Sequence, residues 1–180
     1  VGYVIFANIF RVRKAAQIEN ALVVGFIRET LRQTKGKEKL LMKEISELTM
    51  PDDLRYADDH EWARVEGDHI AVGLDDYAQD QLGDIVFAEL PQVGDSFKKG
   101  EVFATVESVK AVCECYLPVS GEIIAANTRL EESPELINKS PYGDGWMVHV
   151  KATDLSEMDR LMTPVVCLER LKEKYAEAEH

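Results

Sequence analysis

The chain has 180 residues, enough for one modest domain with tails around a single core. Its net charge is −12, spread unevenly: residues 1–49 carry nine basic and five acidic side chains, the remainder twelve and twenty-eight. So acidic a main domain would repel nucleic-acid phosphates and anionic membranes, and would suit basic rims on partner proteins.

Residues 1–49 hold a loosely helical apolar pattern over 15–31 and a charged helical candidate over 35–48. The uncharged stretches near the start are too short to cross a bilayer, and the apolar run precedes the basic cluster, which argues against a secretory signal. Met50 is expected to be the physiological start, with 1–49 an extension outside the folded domain. A transit peptide, which would place the protein in the mitochondrial matrix rather than the cytoplasm, is disfavoured by Glu19 and Glu29 and by the absence of Ser before Ser46.

From Asp52 the chain reads as short strands separated by turns. Strands are predicted over 61–65 and 69–73, joined at Gly67-Asp68. Asp75 caps a short helix with Tyr77, Ala78 and Leu82 facing inward and Gly83 at its end; 85–90 returns as a strand. A turn at Val93-Gly94-Asp95 precedes a strand containing Phe97. After Gly121 come a strand over 122–127, a short helix over 133–138 and a last strand over 146–150. Asp154 is expected to cap a helix reaching Leu161, and Pro164 to separate it from a helical run over 165–178.

Between Gly100 and Gly121 two stretches alternate with the period of a strand, Val102 to Glu107 and Ala111 to Leu117. Ser108-Val109-Lys110 is too short for anything but a tight reversal. It lacks the Gly, Asn or Asp of most hairpin turns, so a turn with ordinary backbone angles is expected, presenting Lys110 outward on a stiff support.

Glu107-Ser108-Val109-Lys110-Ala111, followed by Pro118-Val119-Ser120-Gly121, resembles the lipoyl-attachment hairpin of the glycine cleavage system H-protein family. The likeness continues in His60-Glu61-Trp62, in Gly73 to Asp84, in Ile85 to Pro91 and in Pro141 to Met147, covering roughly 51–150. It implies a mainly β barrel-sandwich hybrid with short helices and a C-terminal helical segment, in agreement with strands that argue for two small packed sheets. The domains so assigned are 1–49, the extension; 50–152, the carrier domain; and 153–180, the helical segment.

The same resemblance implies covalent lipoate on Lys110, flanked by Glu107, Ser108, Val109 and Ala111, in a non-catalytic carrier. A pyridoxal-phosphate glycine decarboxylase would load an aminomethyl group onto the arm. A tetrahydrofolate-dependent aminomethyltransferase would take the one-carbon unit, and dihydrolipoyl dehydrogenase would reoxidise the dithiol. Lipoate ligase or a lipoyl/octanoyl transferase would attach the group. Glu61 matches a family position that holds the loaded amine by charge, and Glu114 a second acidic site. Where many relatives have His, this chain has Gln81, which cannot change charge with pH.

Other expectations are a monomer without metal, nucleic acid or membrane as partners. Cys113, Cys115 and Cys167 make no even disulfide framework and favour a reducing compartment. Cys113 and Cys115 on one strand face lack structural-zinc spacing and read as small packed residues, with a side possibility that they make the hairpin more oxidisable. His60, His69 and His149 have no recognisable nucleophile and base beside them, so surface or capping roles are expected. A lipoate relay to other carrier domains is the alternative function. Biotinylation is disfavoured by Val109 in place of the usual Met, and a stand-alone enzyme by the missing acid-base set.

Overall fold

The computed structural model describes residues 43–178; the expectations for 1–42 lie outside them. Nine strands are present among the described residues: β1 (Arg55–Tyr56), β2 (Glu61–Glu66), β3 (His69–Leu74), β4 (Ile85–Glu89), β5 (Ser96–Phe97), β6 (Val102–Ser108), β7 (Val112–Tyr116), β8 (Gly121–Ala126) and β9 (Val148–Ala152). They form a six-stranded sheet ordered β1-β2-β3-β9-β8-β5 and a three-stranded sheet ordered β4-β6-β7, antiparallel throughout. The mainly β two-sheet arrangement expected from the sequence is therefore present.

Alternation decides which side chains meet between the sheets. Ala63, Ile70, Val72, Ile123, Val148 and Val150 come from the large sheet, Ala88, Ala104, Val106 and Cys115 from the small one, and all are buried in one cluster. Each large aliphatic group contributes roughly 1.5–3 kcal/mol on leaving water. β3 is buried on its outer face as well. There Ala71 packs with Leu54, Tyr56, Trp62 and Cys167 in a second cluster. Gly73 is required beneath Trp62, because a Cβ at Gly73 would fall 2.8 Å from the indole.

The helix Asp76–Leu82 starts as expected: Asp75 Oδ1 accepts from Ala78 N at 2.7 Å. Gly83 closes it with φ of 71°, a left-handed value that favours glycine. Ala78 and Leu82 pack on the main core, while Tyr77 lies against His60, ring centroids 4.5 Å apart.

Several boundaries differ from expectation. Residues 43–49, assigned to the extension, are joined to the domain. Lys43 Nζ pairs with Asp76 at 2.7 Å, Thr49 N donates to Asp76 Oδ2 at 2.8 Å, and the Tyr142 hydroxyl donates to Thr49 O at 2.6 Å. The 35–48 candidate yields only a 3-10 turn, Ile45–Glu47, within its described part. The helix expected over 133–138 is the shorter Leu136–Lys139, and a further helix, Arg129–Glu132, precedes it. The last strand starts at Val148 because Trp146 O is taken by the buried Asn127 side chain at 2.7 Å.

The segment after Asp154 is a 3-10 helix, Leu155–Arg160, rather than an α-helix. The C-terminal helix Pro164–Ala178 buries Pro164, Cys167 and Leu171 along one face, so it is packed as part of the domain rather than appended to it. Among the described residues no helix is long and apolar enough to cross a membrane.

Candidate functional site

The reversal between β6 and β7 is a two-residue turn. Ser108 N donates to Ala111 O at 2.8 Å, and the strands beyond it pair Glu107 with Val112, Val106 with Cys113, Thr105 with Glu114 and Ala104 with Cys115. The Ser108 hydroxyl oxygen accepts from Lys110 N at 3.2 Å and from Ala111 N at 3.1 Å, taking the turn's free amides. Neither Val109 nor Lys110 has positive φ; among the described residues His60 alone does so without being glycine. The ordinary backbone angles expected from the missing Gly and Asn are thus present, and the serine does the clamping.

The turn also rests on the start of the small sheet. Val109 N donates to Asp84 O at 3.2 Å. Asn138 fixes the residues on either side of Asp84: its Nδ2 donates to Gly83 O at 2.8 Å and its Oδ1 accepts from Ile85 N at 3.0 Å. Lys110 is exposed, and its stem passes over Gly83, where an added Cβ would lie 3.2 Å from Lys110 Cε. Sequence reasoning missed Asp84 and Asn138, because Asp84 meets Val109 25 residues away and Asn138 meets Gly83 and Ile85 across more than fifty. Gly83 was read only as a helix end.

Glu107 and Val112 lie on the outward face of the small sheet in one row with Phe87, and Ala111 is exposed beside the turn. Val109 is 76% exposed. Glu114 is exposed as well and accepts from the Tyr116 hydroxyl at 3.0 Å. Cys115 is buried and Cys113 half-buried at the sheet edge. A hydrogen bond from Cys115 holds the Cys113 thiol down to about 7 against its burial. The Cys115 thiol is raised by that same bond and by burial.

Glu61 stands apart from the apex. It lies on the inward face of β2 with Ala63, only 1% exposed, and bridges to the small sheet by accepting from Tyr116 N at 2.7 Å. Its second oxygen, Oε2, is buried without a hydrogen bond. Burial pushes its carboxyl up to about 8, against the lowering effect of the Tyr116 amide. His60 feeds the chain into this position at φ of 74°, held by Asp75 at 3.1 Å and by Tyr77. A cleft of about 210 Å³ opens beside Glu61, lined also by Lys99, Tyr116, Leu117, Arg160 and Arg170. The site residues expected from sequence therefore divide. Six sit on the hairpin, while Glu61 meets it six residues beyond the lysine, at the foot of β7.

Gln81 lies on the helix Asp76–Leu82 and reaches the Tyr175 hydroxyl of the C-terminal helix at 3.5 Å. That contact ties it to the C-terminal helix.

Residues 54–174 match the family model of the glycine cleavage H-protein. The chain belongs to this family. The glycine cleavage system H protein of Rubrobacter xylanophilus is 54% identical over 125 residues, 69% of this chain and 97% of that protein. The probable H protein of Haloarcula marismortui is 54% identical over 115 residues, 64% of this chain and 91% of that one. Among solved structures, a crystal structure of an H protein from Mycobacterium marinum matches with a TM-score of 0.63 at 35% identity, covering 68% of this chain and 99% of the other. Family membership accounts for the hairpin in its two-sheet setting; residues 1–53 lie outside the match.

Proposed function

We propose that this chain is the lipoyl carrier of a glycine cleavage system, with lipoate amide-linked to Lys110. The observation that carries the proposal is the position of Lys110: exposed, at the apex of a two-residue turn held by Ser108 Oγ and by Asp84 O. Acylation removes a charge that no ion pair uses among the described residues and leaves the turn's backbone bonds untouched.

The residues present suit such an arm. Lipoate would supply a ring disulfide that opens to take up the aminomethyl group of glycine and closes again. Glu61 offers a buried oxygen with no partner, next to a cleft. An ammonium group arriving there would favour the carboxylate, so Glu61 would release its proton and pair with the amine. Gly83 leaves room for the lysine stem, and Asn138 keeps the supporting loop in register. A rigid base with one tethered arm raises the local concentration of cargo at successive active sites, a carrier's contribution rather than a catalyst's.

The expected partners are the pyridoxal-phosphate glycine decarboxylase, the aminomethyltransferase, dihydrolipoyl dehydrogenase and an attaching ligase or transferase, met in the cytoplasm by a monomeric carrier. Intact mass after co-expression with a lipoate ligase tests the assignment. A gain of one lipoyl group that Lys110→Ala abolishes is expected. Wild-type chain that stays unmodified, or a lipoylated Lys110→Ala variant, would overturn it.

A further inference from the structure

The carrier role leaves unused a cluster on the outer face of the six-stranded sheet, on the side of β2, β3 and β9 that faces away from the small sheet. Glu66 and His69 are direct cross-strand partners in the β2–β3 pair. His149 stands opposite Ala71, two residues along β3 from His69 and on the same face. One donor atom from each of Glu66, His69 and His149 lies within 4.8 Å of the other two.

The polar atoms of this cluster are incompletely satisfied in a specific way. His69 Nδ1 faces Asp68 Oδ1 at 3.2 Å, a contact that suits the neutral tautomer with its proton on Nδ1 and a lone pair free on Nε2. His69 Nε2 is buried and has no hydrogen bond. The nearest acidic oxygen, Glu66 Oε2, is 3.6 Å away, beyond hydrogen-bond reach. Glu66 is itself held in place: its Oε1 accepts from Arg64 Nε and Nη2, both at 2.7 Å, leaving Oε2 to face the imidazole. In the tautomer with its proton on Nδ1, His69 turns a lone pair on Nε2 toward Glu66 Oε2, 3.6 Å away.

The third member is placed by packing. The His149 ring stacks on Trp146 with centroids 4.1 Å apart, and lies 4.5 Å from the His69 ring. Asp68 occupies the position of the carboxylate that commonly orients a metal-bound histidine through its other nitrogen. One other trio of potential ligands lies this close together among the described residues, His60, Asp75 and Cys167. It lacks the same deficit. Asp75 is engaged by Ala78 N and by His60, and burial pushes the Cys167 thiol up to about 12.

We propose that Glu66, His69 and His149 bind one divalent transition ion of the zinc type, with water in the remaining coordination positions and Asp68 as a positioning residue. Two imidazoles and a carboxylate suit Zn²⁺, Ni²⁺ and Cu²⁺ rather than Mg²⁺ or Ca²⁺. The ion would tie together three adjacent strands without involving the hairpin, so occupancy is independent of lipoylation. Arg64 on Glu66, and Lys151 next along β9, lower the affinity that the donors alone would give.

The test is calorimetric titration of the chelator-stripped full-length chain with ZnCl₂ at neutral pH, with cobalt absorption in parallel. One ion per chain is expected. His69→Ala and His149→Ala should each weaken binding at least tenfold, and Asp68→Asn by roughly 10-fold or more, the usual effect of losing an orienting partner. Imidazole nitrogen resonances of the wild-type chain give a readout that needs no stable variant. His69 and His149 should shift on adding zinc while His60 does not. Absence of binding, affinity unchanged in both histidine variants, a cobalt–thiolate charge-transfer band, or a shift confined to His60 would each overturn the proposal.

Discussion

Replacing Glu61 by Gln isolates the cost of holding an ionisable carboxyl out of water. Gln keeps an oxygen for the Tyr116 amide, which Glu61 meets at 2.7 Å, and removes the titration. In the wild type the carboxyl is raised from 4.5 to about 8, chiefly by burial. Below about pH 4.5 the folded and unfolded chains both carry the proton, and the group costs nothing through ionisation. Between 4.5 and about 8 the unfolded chain releases it while the folded chain keeps it, so stability falls as pH rises; above about 8 the loss is complete. At about 1.4 kcal/mol per pH unit crossed, the full loss approaches 5 kcal/mol, and relaxation of the site would reduce it to about 3–5 kcal/mol.

Urea unfolding of both proteins, followed by Trp62 and Trp146 fluorescence across pH 4–9, gives the difference directly. Groups common to both cancel. The Gln variant should match the wild type within about 1–2 kcal/mol at the acid end, the scale of one altered buried hydrogen bond, and gain on it steadily up to about pH 8. A difference that stays flat over the whole range would refute the reasoning, because it would mean that Glu61 titrates alike in the folded and unfolded chains.

Ser108→Ala removes the acceptor for two turn amides and should cost roughly 1–2 kcal/mol, with slower lipoylation by a ligase at equal protein concentration; thermal unfolding and a timed mass assay read the two effects. Gly73→Ala drives a methyl group to 2.8 Å from the Trp62 indole and should destabilise by roughly 1–3 kcal/mol, with altered near-ultraviolet dichroism. Cys113 should react with iodoacetamide with a midpoint near pH 7, and Cys115→Ala should move that midpoint up toward an ordinary thiol. Mass mapping of the alkylated site checks both, and a midpoint unaffected by Cys115→Ala would exclude the thiol–thiol bond. Asn138→Leu should lengthen the support under Val109, seen as faster amide exchange at Val109 and Ile85 with little change elsewhere.

What could be seen in advance follows the range of the interactions. Alternation in Val102 to Leu117 identifies both strands of the hairpin, and a turn without glycine predicts the backbone that Ser108 then clamps. Asp75 and Gly83 mark the helix between them because capping is local chemistry. The order β3-β9-β8 is not local, since β9 inserts between strands that lie far apart in sequence. β1 is two residues long and exists because Tyr56 pairs with Trp62 and, across the chain, with Met162; no pattern announces it.

Residues 43–49 carry mixed charge and look like an extension until Asp76 is found accepting from Lys43 and Thr49 together. The resemblance named Glu61, yet its orphaned oxygen emerges only from the meeting of β2 with Tyr116. The histidines of the outer face looked unremarkable because their partners, Glu66 and Asp68, gain meaning from cross-strand register.

Glycine-dependent exchange of labelled bicarbonate, catalysed by the pyridoxal-phosphate decarboxylase with this chain as acceptor, reaches the carrier role itself. Exchange should require the lipoylated chain and vanish with Lys110→Ala. Equal exchange supported by the unmodified chain or by Lys110→Ala would contradict the carrier role.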